Sequence, residues 1–253
     1  KTFTSAATVV AGKTISGGTV SITGNVAANT DISAITSTVD FAATTPTVAA
    51  SKTLTLTAEQ AAGESFANSG TVVISASTGA QSTTVTGGVV KATMGAGTDT
   101  LILGDAANVT AADEIDMGAD ADEVKITADA DSTGAVFDDA GAGWETLTMV
   151  ASTSKDAVVA LNLSTTDAIA RAIDASAMTN TSAGFTLAIG TEAKTTGALT
   201  ITSSAGNNVI AGGAGDDILD FGTTTVDGND TIALGAGTDQ VKITAIGSDD
   251  TTP

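Results

Sequence analysis

The sequence predicts an all-β fold: a β-solenoid in the acidic second part of the chain, preceded by a Thr-rich region that is either a β-sandwich or a β-solenoid. Short segments such as Thr19–Thr23 alternate apolar with hydroxyl residues, which is the pattern of half-buried strands. Glycine and asparagine interrupt these segments at short intervals. The chain is 42% hydrophobic but only 3% aromatic. Its core must therefore be built from small aliphatic side chains, which suit thin and repetitive layers.

The strand pattern continues through both parts of the chain. Lys52–Thr57 repeats the alternation in the first part, and further strands are predicted near 144–149, 157–163, 185–189 and 198–202. Residues 165–175 leave an alternative open, because Asp167 could cap a short helix with Ile169 and Ile173 on one face. Its surroundings are strand-like, so the pattern favours a strand there.

Charge divides the chain into two predicted domains. Residues 1–91 form a neutral Thr-rich β domain with four acidic and four basic residues: Asp31, Asp40, Glu59, Glu64, Lys1, Lys13, Lys52 and Lys91. Residues 92–253 form an acidic β-solenoid domain that carries the whole excess of the net charge of −20. Nucleic acid and anionic membranes would be repelled, so cations are the expected partners.

The residue types that are absent exclude much familiar chemistry. The sequence has no His and no Cys, so it lacks the commonest general base, thiolate metal ligands and disulfides. No cluster of a nucleophile with an activating base stands out. Acidic residues recur at nine-residue steps, which indicates a repeated ligand shell and not a pair of acids facing a sugar. The sequence therefore predicts no enzymatic activity.

The acidic domain contains a duplicated cassette, at about 93–127 and 206–244. Residues 113–127 match residues 230–244 at nine of fifteen positions. Within a cassette the unit is nine residues long, since Gly206 and Gly215 begin similar segments, as do Gly228 and Gly237. A glycine turn with one short strand cannot bury itself alone, so the units must stack, two to a turn of a flattened helix.

The composition of these turns predicts a calcium site. Glycine permits backbone angles that turn carbonyl oxygens inward, and Asp adds a hard anionic oxygen. Such an oxygen cage suits Ca²⁺, which accepts six to eight flexible ligands, better than Mg²⁺. The alternative is an ordinary antiparallel β protein with Gly-Asp turns that bind no metal, but in-phase repeats in two cassettes favour the metal.

Residues Gly212–Asp220 resemble the nonapeptide of the repeats-in-toxin (RTX) family at every defined position. The resemblance implies a parallel β-roll in which calcium lies between turns, held by turn carbonyls and by the residue at the sixth position of each unit. Carried onto this chain, it gives a metal-site set of side chains and turn glycines: Asp99, Asp113, Asp120, Asp122, Asn208, Asp217, Asp230, Asp239, Gly95, Gly97, Gly213, Gly215, Gly235 and Gly237. Asn208 replaces an Asp, and Asp120 replaces a turn glycine.

Other parts of the chain, such as Arg171–Met178, resemble bacterial S-layer and large adhesin repeat proteins. The resemblances imply a secreted, calcium-dependent protein of the bacterial cell surface, exported by type I secretion, that assembles with itself as an S-layer or similar lattice and could contact surface polysaccharide. One alternative is the stalk of an RTX adhesin or biofilm matrix protein. Another is the accessory roll of a secreted protease or lipase.

Several acidic and aromatic residues outside the cassettes have two interpretations. A solvated loop is favoured over further calcium sites for four acidic residues: Asp129, Asp131, Asp138 and Asp139. Trp144, the single Trp, is predicted to anchor a wider part of the core and not to contact a sugar.

Overall fold

The computed structural model describes residues 2–6, 10–42, 45–104, 113–127, 135–138, 143–150, 157–162, 170–178, 185–189, 197–226 and 228–246. Two compact units divide the chain: Lys1–Gly104 with Ala112–Asp122, and Asp105–Ala111 with Glu123–Pro253. The domain boundary predicted at residue 91 is one of composition and stays a prediction. Within the described residues, no helix has the length and apolar character needed to cross a membrane.

The described residues of the first unit form parallel strands and include a short helix. Its elements are β1 Thr2–Ala6, β2 Thr19–Thr23, β3 Thr30–Asp31, β4 Thr38–Phe41, β5 Thr47–Val48, β6 Thr53–Thr57, α1 Ala58–Ala61, β7 Ser65–Asn68, β8 Thr71–Ser75, β9 Ser77–Thr78, β10 Ser82–Thr86, β11 Val89–Thr93, β12 Gly95–Ala96, β13 Thr100–Leu103 and β14 Glu114–Asp116. From β5 onward the longer strands belong alternately to two parallel sheets, ordered β14-β11-β8-β6-β3 and β13-β10-β7-β5. The other strands pair as β1-β2-β4 and β12-β9.

Strand pairing shows why the Thr-rich region forms a solenoid. Val72 of β8 pairs with Val90 of β11, which lies 18 residues later, so two nine-residue segments make one turn. In β6, Leu54 and Leu56 are buried while the threonines between them are half-buried, as period-two alternation requires. Of the two predicted folds for this region, the stacked parallel strands select the solenoid and exclude the antiparallel sandwich.

The second unit has the same architecture as the first. Its strands are β15 Glu123–Thr127, β16 Ala135–Asp138, β17 Thr146–Val150, β18 Ala157–Asn162, β19 Arg171–Asp174, β20 Phe185–Ile189, β21 Leu199–Thr202, β22 Val209–Gly213, β23 Ile218–Asp220, β24 Thr225–Val226, β25 Thr231–Gly235, β26 Gln240–Lys242 and β27 Ala245–Ile246. They form parallel sheets ordered β26-β23-β21-β19-β17-β15, β25-β22-β20-β18-β16 and β27-β24. The all-β parallel β-roll prediction is therefore confirmed.

A row of aliphatic side chains forms the core of this unit. Residues in register on successive strands are, in order, Val124, Leu147, Ile173, Ile201 and Leu219. Each of these side chains is at most 1% exposed. Burial of one medium aliphatic residue per strand stabilises each turn only when the next turn covers it, which is the energetic reason that the turns stack.

The helix considered for residues 165–175 is wrong for the part that the structure describes. Arg171–Asp174 forms β19, which pairs with β17 and β21 and buries Arg171 and Ile173 on one face. The apolar spacing that suggested a helix face is the period-two pattern of a strand. Residues 163–169 lie outside the described residues.

Candidate metal centre

Aspartates at the sixth position of the nonapeptide lie immediately before a strand, with their side chains inside the roll. Asp99 precedes β13 and Asp217 precedes β23, and both are fully buried. Two positions further on, Leu101 and Leu219 are also fully buried. The sequence thus directs a carboxylate and an aliphatic side chain into the interior from one short segment, because alternate strand residues share a face.

Each of these carboxylates bonds to the backbone of the turn before it. In the second unit, the backbone N–H of Leu199 donates to Oδ1 of Asp217 at 2.8 Å, and the N–H of Asp217 donates to Oδ1 of Asp239 at 3.0 Å. The result is a ladder that joins consecutive turns through charge-assisted hydrogen bonds. We call residues 212–217 and 234–239 the Asp217 turns.

The first unit repeats this ladder. The N–H of Gln81 donates to Oδ1 of Asp99 at 2.7 Å, and the N–H of Asp99 donates to Oδ1 of Asp122 at 2.8 Å. Asp120 is exposed, and its Oδ2 accepts from the N–H of Gly97 at 3.0 Å. Asp99, Asp120 and Asp122, three of the predicted ligands, therefore lie on neighbouring turns of the first unit.

Only one oxygen of the Asp99 carboxylate and one of the Asp217 carboxylate takes part in the ladder of hydrogen bonds. The Oδ2 atoms of Asp99 and Asp217 are buried and have no hydrogen-bond partner. A buried anionic oxygen without a partner is costly, by several kcal/mol for an ion taken out of water. Such an atom is a candidate ligand of a bound cation.

The electrostatic state of these carboxyls follows from their surroundings. Burial raises the pKa of Asp217 above its ordinary value, the nearby Asp239 and Asp216 carboxylates raise it further, and the bond from Leu199 opposes the shift. Burial likewise raises the pKa of Asp99. Ionisation of both carboxyls is therefore less favourable in the folded protein than in the unfolded chain.

The turn glycines allow backbones of consecutive turns to approach closely. Gly95, Gly97, Gly213, Gly235 and Gly237 have φ between 98° and 142°, the left-handed region that L side chains avoid. Gly215 lacks such an angle, but a Cβ there would lie 2.5 Å from the carbonyl oxygen of Gly197. The carbonyl oxygens of stacked turns therefore lie close to the neighbouring turn.

Asp113, Asn208 and Asp230 occupy turns that precede strands of the other sheets. The N–H of Val90 donates to Oδ1 of Asp113 at 2.6 Å, and the N–H of Asn208 donates to Oδ1 of Asp230 at 2.8 Å. These three residues repeat the ladder but do not lie in the turns of Asp99 or Asp217. The predicted residues thus belong to several turns and not to one centre.

The residues present fit a hard divalent cation. Among the described residues, no group of three or more acidic side chains converges on one point. A bound cation would therefore take most of its ligands from carbonyl oxygens of the turns, with the carboxylates of Asp217 and Asp239 or of Asp99 and Asp122 beside them. An oxygen-only set of this kind, flexible and of mixed charge, is what calcium prefers.

Fold and turns together define a parallel β-roll with acidic, cation-binding turns. The family model of the RTX calcium-binding nonapeptide repeat, in four copies, matches residues 200–223 and 227–241. These two segments are similar to RTX repeats, which the family model describes as calcium-binding. No curated protein and no solved structure matches the chain.

Sequence reasoning missed some groups that the structure places at the turns. Oδ1 of Asp216 accepts the N–H of Thr238 at 2.7 Å, a second bond between the Asp217 turns. The Asp216-Asp217 doublet was the signal, since the fifth position holds Thr in the related units at Thr98 and Thr238. Of the acidic residues outside the cassettes, Asp129, Asp131, Asp139 and the side chain of Asp138 lie outside the described part of the structure.

Trp144 and Arg171 form a buried pair that the sequence did not predict. The guanidinium carbon of Arg171 lies 4.5 Å from the ring centroid of Trp144, within the range of a cation–π interaction. Arg171 is 2% exposed and Trp144 is 0% exposed. The burial of Trp144 agrees with its predicted role as a core anchor, because a buried ring is not available to a sugar.

Proposed function

We propose that this chain is a structural, non-catalytic β-roll of a secreted protein, whose turns are fixed by calcium. The observation that carries the proposal is the buried, unpartnered Oδ2 of Asp217, repeated at Asp99 in the first unit. Asp217 and Asp239, with carbonyl oxygens of their glycine turns, would hold one ion. Asp99 and Asp122, with Asp120 beside them, would hold another.

The mechanism is a coupling of metal binding to folding. Without calcium, the buried carboxylates are uncompensated and the net charge of −20 favours expansion. Calcium would neutralise the turn carboxylates, so its binding free energy adds to the free energy of unfolding. A protein of this kind would be largely unfolded where calcium is scarce and would fold in calcium-rich extracellular fluid.

As a more specific role, we propose that the protein is a component of a surface lattice of the S-layer type. It would be exported by type I secretion, lie on the bacterial cell surface and contact surface polysaccharide there. An exposed set of large apolar side chains on the last described turns of the second unit supports self-association: Val209, Ile232, Val241 and Ile243. A lattice component would use such side chains against neighbouring copies.

The stalk of an adhesin or matrix protein is the second candidate. Parallel stacking of turns favours it, because a solenoid can be lengthened turn by turn without changing its cross-section. Calcium-dependent planar or filamentous assembly of the purified chain supports the lattice. A calcium-bound monomer supports the stalk.

Titration of chelated protein with calcium and, separately, magnesium tests the proposed function. Circular dichroism measures β structure, and light scattering measures assembly. We expect a calcium-selective gain of β structure, and a parallel rise in scattering if the lattice role is correct. If the chelated protein is already fully folded and calcium changes neither its spectrum nor its unfolding midpoint, the proposal is wrong.

A further inference from the structure

The turn that contains Asn208 differs chemically from the Asp217 turns. Asn208 is 1% exposed. Its Oδ1 accepts from Oγ of Ser204 at 2.8 Å and from the backbone N–H of Ser204 at 3.2 Å. Its Nδ2 donates to the carbonyl oxygen of Gly206 at 2.7 Å and lies 3.4 Å from that of Ser204. We call residues 203–208 the Asn208 turn.

Asn208 also faces the carboxylate of the next turn. Its Nδ2 donates to Oδ1 of Asp230 at 3.1 Å, and its backbone N–H donates to the same oxygen at 2.8 Å. One amide nitrogen thus contacts two carbonyl oxygens of its own turn and a carboxylate of the following one. Carbonyl and carboxylate oxygens are also the ligands that a calcium ion would gather.

Comparison with Asp217 shows what the substitution changes. Both residues occupy the sixth position, and both donate their backbone N–H to the Asp of the next turn. Asp217 presents a second oxygen that is buried and unpartnered, whereas Asn208 presents an N–H donor that is fully used. The orientation of the amide is fixed by this network, since the reverse would set its NH₂ group against the N–H of Ser204.

We infer that the side-chain amide of Asn208 takes the place of the calcium ion in its own turn, and that this turn is a metal-independent template for the calcium-dependent turns of the same cassette. The inference rests on the proposed function, because it concerns which turns need the metal. A partial positive charge on Nδ2 supplies what the ion supplies elsewhere. Ordering of one turn without metal lowers the entropic cost of ordering its neighbours, as in other stacked repeats.

A buried amide in the first unit behaves similarly. Asn68 is 5% exposed, and its Oδ1 accepts the N–H of Gly70 at 2.9 Å while its Nδ2 donates to the carbonyl oxygen of Val89 at 2.9 Å. This amide joins two turns of the neutral region without any charge. Asn208 makes the same kind of amide contact between turns in the acidic region.

The test converts the amide turn into a carboxylate turn in the full chain. N208D sets a carboxylate against the oxygens of Gly206 and Asp230, so we expect a lower urea midpoint in chelator. In calcium we expect one additional bound ion per chain, by calorimetry or by metal analysis after gel filtration, and a larger calcium-induced rise of the midpoint. N208A removes the amide without adding charge, and should lower the midpoint equally with and without calcium.

The outcomes separate this inference from the proposed function. Equal calcium stoichiometry in N208D and in a wild type that does bind calcium overturns the inference alone. An unchanged midpoint of N208D in chelator also overturns it. Absence of calcium binding by the wild type refutes the proposed function, and the inference with it. If N208D is unfolded in chelator, its refolding by calcium with one extra ion supports the inference.

Discussion

Asp217 is joined to Leu199 of the preceding turn by a 2.8 Å hydrogen bond through Oδ1, while its other carboxylate oxygen is buried without a partner. The first oxygen holds the turns in register in any condition. The second destabilises the fold unless a cation is bound. One side chain therefore contributes both a permanent contact and a calcium-dependent one.

The effect of D217N on the free energy of unfolding should be opposite in chelator and in calcium. In chelator the amide keeps the bond from Leu199 and removes a buried charge, so we expect a gain of about 1–3 kcal/mol in the free energy of unfolding. In calcium the lost anionic ligand should reduce the stabilisation that the metal provides. Urea denaturation followed by circular dichroism, with chelator and with saturating calcium, measures both effects.

D174N is the matched control for this variant. Asp174 ends β19 outside the cassettes, and its Oδ1 accepts the N–H of Ser176 at 2.9 Å, a bond that Asn can keep. We expect it to change stability by less than about 0.5 kcal/mol in either condition. Full calcium stabilisation in D217N would show that Asp217 is not a ligand.

The apo protein should lose stability as pH rises. Burial raises the folded-state pKa of Asp99 and Asp217 above the ordinary value of 3.8, so the folded state binds protons more tightly than the unfolded chain. Their stabilising contribution is fully present below that value and is lost as pH rises through the folded pKa. We expect the urea midpoint in chelator to fall as pH rises above that ordinary value, less steeply in a D99N/D217N variant.

Calcium should reverse this trend, because the metal needs the ionised carboxylates. The stabilisation that saturating calcium provides should therefore grow over the same pH range. Identical slopes in the wild type and the double variant would show that other groups set the pH dependence.

Two glycines of the second cassette should respond differently to substitution by alanine. Gly235 has φ +98°, and a Cβ there would collide with the carbonyl oxygen of Gly213 in the turn below. Gly228 has no left-handed φ, and no atom lies within 4 Å of the position that a Cβ would take there. G235A should therefore lower the free energy of unfolding by at least about 1–2 kcal/mol, from the backbone angle alone.

G228A is the control, and should change stability by less than about 0.5 kcal/mol. Thermal denaturation in saturating calcium compares the two variants. Equal stability of G235A and G228A would contradict the close stacking of the two turns.

The strands and the repeated glycine-aspartate turns were predictable from the sequence because both follow local rules. Alternation in Thr53–Thr57 and the nine-residue spacing around Asp217 are visible without any tertiary information. The pairing of Trp144 with Arg171 was not predictable, since these residues are 27 positions apart in a part of the chain without the repeat. Turn length was only partly predictable: Leu219 pairs with Val241, 22 residues later, because an insertion lengthens the turn that two nonapeptides would make with 18.

The choice between sandwich and solenoid in the Thr-rich region also needed the structure. Period-two alternation in β6 and β8 is the same in antiparallel and parallel sheets, since it reports only which face is buried. The register of 18 residues between Leu54 and Val72 distinguishes them, and it is a long-range property.

In chelator, strands of the neutral region should stay folded while the acidic cassette at 206–244 opens. The cross-turn side-chain bonds near β6 and β8 include neutral amides: Oδ1 of Asn29 accepts the N–H of Thr53 at 3.1 Å, and Nδ2 of Asn68 donates to the carbonyl oxygen of Val89 at 2.9 Å. Those near β23 are carboxylates that require compensation. Because a stack of turns can open from one part without the rest, metal removal should act locally. Hydrogen exchange measured by mass spectrometry should show protection of residues 53–75 with and without calcium, and protection of residues 218–242 only with calcium. Uniform loss of protection along the chain on calcium removal would mean that the neutral turns also depend on the metal.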